Sequence, residues 1–234
     1  MGFAAVAALL VLLAPVSSAH GTVTFTAPYT GFAVSNSAFV NATGCGHASN
    51  PTPLAWNSTS GTFQFAAAAS AGLCARGADA YGEAFTSLTS PLFSAPYNGF
   101  GSIDLSLSTA FSAKAVLHLG ASSNFSYATS EVALSIGVYV YDATHHNDSL
   151  VAYTTVSLVD QYFYGASGSF SLTQGWTSSY VVAYGTFTGG HVYQAIVSLS
   201  AYAFADTYGG GSSASASIDL GGSNGLVISS ITAY

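Results

Sequence analysis

From Val132 to Val140 every second residue is aliphatic. Val132, Leu134, Ile136, Val138 and Val140 share one parity, and Glu131, Ser135, Tyr139 and Tyr141 hold the other. A β-strand sends successive side chains to opposite faces, so this period predicts a sheet with one buried side. The same alternation recurs along the chain. Val23 and Phe25 stand against Thr22, Thr24 and Thr26; Phe63, Phe65, Ala67 and Ala69 share a face; Ile103, Leu105 and Leu107 stand against Asp104, Ser106 and Ser108. Ala115, Leu117 and Leu119 oppose Lys114, Val116 and His118. Segments 150–160, 168–173, 179–187, 191–206, 212–220 and 226–233 continue the pattern, with glycine-rich hairpin turns at 189–190 and 221–225.

The scarcity of charge points the same way. Charged residues are 5% of the chain, with two Lys and Arg in total, Lys114 and Arg76. A surface helix coats its outer stripe with Glu, Lys and Arg, and that coat does not exist here. Strands can meet water through hydroxyls instead, and the chain has 36 Ser and 21 Thr. These features predict an all-β fold: a two-sheet antiparallel β-sandwich, jelly-roll-like or elaborated immunoglobulin-like, of about ten to twelve strands. The net charge of −7 offers no basic patch, which argues against nucleic acid and anionic membrane surfaces as partners. A chain with so few ionisable groups also limits its own self-repulsion in acid, and we expect tolerance of an acidic exterior.

The first 19 residues read as a secretory signal peptide: an apolar run from Phe3 to Val16, then small residues Ser17 and Ala19 at the two positions a signal peptidase reads. That run is too short to span a bilayer, which takes roughly 20 residues. Residues 20–234 then form a single domain outside the cell, with no membrane span. In an exported chain the only two cysteines, Cys45 and Cys74, are expected to form a disulfide. It would close a loop of about 30 residues and contribute roughly 3–4 kcal/mol. Residues 31–75 contain the least regular stretch, and 31–57 reads as a long loop pinned by that bond. Asn41, Asn57, Asn124 and Asn147 each open a glycosylation sequon, and all four fall in or near expected loops.

No catalytic constellation stands out. A mature chain beginning His20-Gly21 resembles the lytic polysaccharide monooxygenases, β-sandwiches that hold copper with the terminal amine and imidazole of the first histidine plus a second histidine. Only His20 maps onto that pattern; among the remaining histidines His118 is the best second ligand, because it lies on a strand. The competing explanation is that signal peptidase tolerates any residue after its cut, and we favour it. His145 and His146, with Asp142 and Asp148 nearby, read as a solvated turn before they read as a metal site. The Gly221-Gly222-Ser223-Asn224-Gly225 match to a nucleophile elbow lacks the following helix that motif requires, so it reads as a turn. Glu83 and Glu131 are the only glutamates, and no paired-acid motif joins them as a glycosidase would need. Asp79 and Asp219 suit calcium by chemistry alone, with no calcium-loop string around them. Trp176, Tyr180 and Tyr184, like Tyr139, Tyr141, Tyr162 and Tyr164, could stack sugar rings; we read them first as sheet packing.

The leading expectation is a secreted, N-glycosylated surface or interaction module that binds extracellular carbohydrate or a surface protein, with no cofactor. The alternatives are a polysaccharide-active enzyme, copper-dependent through His20 or acid-catalysed through Glu83 and Glu131, and a structural subunit of a surface layer.

Overall fold

The computed structural model describes residues 22–50, 55–72, 77–95, 98–119, 127–144, 149–208 and 212–234. Among them there is no helix, and strands dominate: β1 (Val23–Thr26), β2 (Ala33–Thr43), β3 (Gly46–Ser49), β4 (Ala55–Asn57), β5 (Thr62–Gln64), β6 (Ala66–Ala71), β7 (Ala78–Thr89), β8 (Phe93–Ser94), β9 (Gly99–His118), β10 (Tyr127–Asp142), β11 (Ser149–Tyr164), β12 (Gly168–Phe187), β13 (Val192–Tyr208), β14 (Ser213–Asp219) and β15 (Gly225–Ala233). Every ladder is antiparallel. The sheet runs β2-β7-β13-β10-β11-β12-β9-β14-β6-β3, with β15 on the flank of β9 and β1 and β5 on β15.

The all-β class is as expected, but hydrogen bonding joins the strands into one large sheet that is nearly barrel-shaped. The two halves meet where β11 crosses β12, through the single ladder position Ala152↔Gly185. Inside the curve, β13 packs across the interior against β6 and β14, and β10 against β9 and β14. Ser130, fully buried on β10, donates from its hydroxyl to the Ser215 carbonyl on β14 at 2.7 Å, tying the facing layers together.

The core mixes large and small side chains. Ile103, Leu105, Leu107 and Phe111 of β9 and Val132, Leu134, Ile136 and Val138 of β10 are buried in it. So are Ala67, Ala69 and Ala71 of β6, Ala78, Ala80 and Ala84 of β7, and Ala201, Ala203 and Ala205 of β13, where Ala201 and Ala203 stand beside Leu134 and Val132 in the ladder. Small side chains let the layers approach: a Cβ placed on Gly82 would meet the Ala68 carbonyl at 3.3 Å. Along β9 and β14 the aliphatic parity points inward and the Ser parity outward. No helix of the described residues is long and apolar enough to cross a membrane.

Segment 31–57 is not the long loop expected. It carries β2, β3 and β4. Its residues lack an apolar parity because every residue of β2 is exposed, so no face of that strand had to be hydrophobic. Two pairs of segments read as separate strands prove continuous: 103–107 with 115–118 inside β9, and 168–173 with 179–187 inside β12.

Candidate functional site

Tyr180 and Tyr184 lie on β12 with parity opposite to the buried Val181 and Ala183, so both rings leave the outer face. Tyr180 is 74% exposed and Tyr184 61%. The register pairs Tyr180 with Ser106 and Tyr184 with Ser102 on β9, where Ile103, Leu105 and Leu107 take the inward parity. Phe100 lies on the outward parity of β9, 72% exposed, and its ring runs nearly parallel to Tyr184 with centroids 5.7 Å apart. Trp176 is exposed beside a bulge in β12, and its indole edge reaches over Gly225, where a Cβ would lie 3.5 Å away. Four strand residues separate Tyr180 from Tyr184, about 13 Å.

The ground between these rings is hydroxylic. Ser102, Asp104, Ser106 and Ser108 alternate along β9, and Ser230 and Thr232 continue the rows onto β15. Ser108 and Ser178 share a hydrogen bond at 3.1 Å, and Ser102 donates to Asp104 Oδ1 at 2.8 Å. The reading of Trp176, Tyr180 and Tyr184 as packing is therefore corrected: the positions facing Tyr180 and Tyr184 on β9 carry Ser, and all three rings are more than half exposed. Phe100 was missed by sequence reasoning. The available signal was an aromatic residue on the same parity as Ser102, Asp104 and Ser106.

A second outer surface carries the carboxylates. Across β7, β13, β10 and β11 the register sets Tyr81 opposite Phe204, Phe204 opposite Glu131, and Glu131 opposite Tyr162; in the next row Glu83 faces Tyr202. Tyr81 hydrogen-bonds Glu83 through its hydroxyl. Burial and then the neighbouring Asp160 charge push the Glu131 carboxyl up, and burial and then Asp79 do the same to Asp206. Burial, with Glu131 and Glu83 close by, raises the Tyr202 hydroxyl to about 12. Glu83 and Glu131 thus share one face, but β13 lies between their strands, two interstrand spacings or about 10 Å. They stand on an open surface rather than across a cleft.

The remaining candidates separate. His20, Cys74, Asn124, His145, His146, Asn147 and Asp148 lie outside the described residues. His118 is exposed at the end of β9, opposite Ser213. Asp142 accepts from Thr144 and contacts His191 Nδ1 at 2.6 Å. Burial raises its carboxyl, but the Thr144 and His191 hydrogen bonds outweigh that and hold it at about 2. Asp219 accepts from the Gly221 amide at 2.6 Å, and the Asn224 amide bonds the Gly221 carbonyl, so 221–225 is a turn leading into β15. Asp79 lies far along the fold, on β7 beside Asp206. Among the described residues no group of three His, Cys, Asp or Glu side chains is placed to hold a metal. Cys45 sits in the turn after β2 and is not a free thiol. Asn57 Oδ1 accepts from the Thr59 and Ser60 amides in an exposed turn. Asn41 lies on β2, within a strand rather than a loop, and is exposed.

No family model, curated protein or solved structure matches this chain.

Proposed function

We propose that this protein is an extracellular interaction module that holds neutral polysaccharide against the outer face of β9 and β12. The observation that carries the reading is the set of uncovered rings, Phe100, Tyr180, Tyr184 and Trp176, on a sheet otherwise faced with Ser and Thr. Aromatic faces accept the apolar side of a sugar ring, and neighbouring hydroxyls exchange hydrogen bonds with its rim. A single carboxylate, Asp104, interrupts that face, so a neutral ligand fits better than an anionic one. Export through residues 1–19, a Cys45–Cys74 disulfide and glycans on Asn41, Asn57, Asn124 and Asn147 belong to the same proposal, because each is a feature of a chain built for an oxidising exterior.

Retention on a panel of insoluble and gel-embedded neutral polysaccharides tests it. Binding should persist at high salt, because no ion pair supports it. Tyr180→Ala and Tyr184→Ala should each weaken association by about 1 kcal/mol, roughly fivefold. Retention that ignores both substitutions, or no retention on any polymer, overturns the reading.

A further inference from the structure

Strand β2 ends the sheet on one side, and no described strand pairs with its outer edge. It pairs with β7 without a bulge from Ala33↔Thr89 to Thr43↔Asp79, and among the described residues it pairs with nothing else. Its other edge therefore turns the backbone donors and acceptors of every second residue, over an eleven-residue strand, toward solvent. Its inward parity is also uncovered. Val34, Ala38, Val40 and Ala42 sit opposite Leu88, Ala84, Gly82 and Ala80 of β7, which are buried, yet Val34 is 37% and Val40 45% exposed. Natural edges are blunted by Lys, Pro, bulges or shortness. The strands β1, β3 and β4 have four, four and three residues. β2 has none of these devices and no ionisable side chain.

We infer that β2 is an assembly strand, through which two copies of this chain join antiparallel and edge to edge about a twofold axis. The occupant follows from charge. A neutral strand offers nothing to an acidic or basic peptide, whereas a second copy brings the same neutral row and meets no like charge. Pairing centred on Ala38 keeps all eleven residues in the ladder and sets Ser35 against Asn41, Asn36 against Val40 and Ser37 against Phe39. It also covers Val34 and Val40. The nearest carboxylates, Asp79 and Glu83, stay one strand back on β7 in each copy, more than about 14 Å from their counterparts and beyond a Debye length of roughly 8 Å at physiological salt. An isologous contact of this kind closes at two copies.

A charge exchange at the axis tests it. Sedimentation of the full chain, produced in a host that attaches no N-glycans and so with Asn41 unaltered, should show twice the monomer mass as concentration rises. Ala38→Lys and Ala38→Glu each place like charges opposite one another and should weaken self-association about fivefold or more. An equimolar mixture of the two variants should regain the wild-type mass. Backbone amides of β2 should exchange more slowly in the dimer than in the monomer, a readout independent of whether either variant folds less well. A wild-type chain that stays monomeric, dimers indifferent to both variants, or β2 amides that exchange at one rate in both states would each overturn the inference. So would a mass series continuing past two copies.

Discussion

At the scale of single residues, Tyr29 shows how one polar group can be spent inside a core of this kind. Its ring packs edge-on to Phe32 with centroids 5.2 Å apart and tilts against Trp56 at 5.7 Å. Its hydroxyl donates to the Ile228 carbonyl at 2.9 Å, 199 residues along the chain. Burial raises that hydroxyl to about 12, so it keeps its proton and remains a donor throughout the ordinary pH range. The contact depends on Gly61, whose φ is +68° and whose place a Cβ could not share with the Ile228 carbonyl and the Tyr29 ring edge. Tyr29→Phe deletes one buried hydrogen bond while keeping the ring, and should cost about 1 kcal/mol in urea unfolding. Gly61→Ala adds both a clash and a disfavoured backbone conformation, and should cost more than Tyr29→Phe. Equal stability of Tyr29→Phe and wild type would show that the bond contributes nothing net.

At the scale of strands, the closure of the sheet depends on a glycine. β11 and β12 share one ladder position, and there a Cβ on Gly185 would fall 2.4 Å from the Val151 carbonyl oxygen and 2.7 Å from the Ala152 Cβ. Both neighbours are fixed parts of β11, so a side chain must push the strands apart. Gly185→Val is expected to destabilise by about 1–3 kcal/mol and to speed amide exchange along β11 and β12 first, with β7 and β13 unaffected until global unfolding. Uniform acceleration would mean that the junction is not a separate weak point. The same scale explains what was legible in the sequence. β10 could be read because large aliphatic side chains mark its inward parity, and β13 because it follows the Gly189-Gly190 turn. β7 could not, because its inward residues are Ala78, Ala80, Gly82, Ala84, Thr86 and Leu88, small enough for close layers but too weakly apolar to show a period. β2 could not, because no face of it is covered. The binding face was half legible: Trp176, Tyr180 and Tyr184 were visible as a group, but their exposure depends on Ser102 and Ser106 of β9, which are distant in sequence and brought alongside only by the ladder.

At the scale of the whole molecule, the carboxylates set an unusual response to acid. Asp79, Glu83, Glu131, Asp160 and Asp206 gather on the surface of β7, β13, β10 and β11, with Tyr81, Tyr127, Tyr162 and Tyr202 among them. Glu131 and Asp206 are pushed up, by burial first and by their acidic neighbours second. A carboxyl raised on folding binds its proton more tightly in the native state. Its contribution is fully present below the ordinary carboxyl range and is lost as pH rises through the folded value. Asp142 works in the opposite sense. Held at about 2 by Thr144 and His191 against its own burial, it contributes above the ordinary value of 3.8 and loses that contribution as pH falls toward 2. The two effects occupy adjacent windows, so the melting temperature should rise as pH falls toward the ordinary carboxyl range and turn down only below 3.8, where Asp142 starts to lose its contribution. Glu131→Gln removes a repelled, half-buried charge; it should raise the melting temperature at neutral pH and flatten the acid-side gain. Asp142→Asn should leave the gain and soften the downturn. Scanning calorimetry of the three proteins across this range separates the contributions. A wild-type melting temperature that falls steadily from neutral pH would show that the carboxylate surface does not govern the acid response, and with it the expected tolerance of an acidic exterior would go.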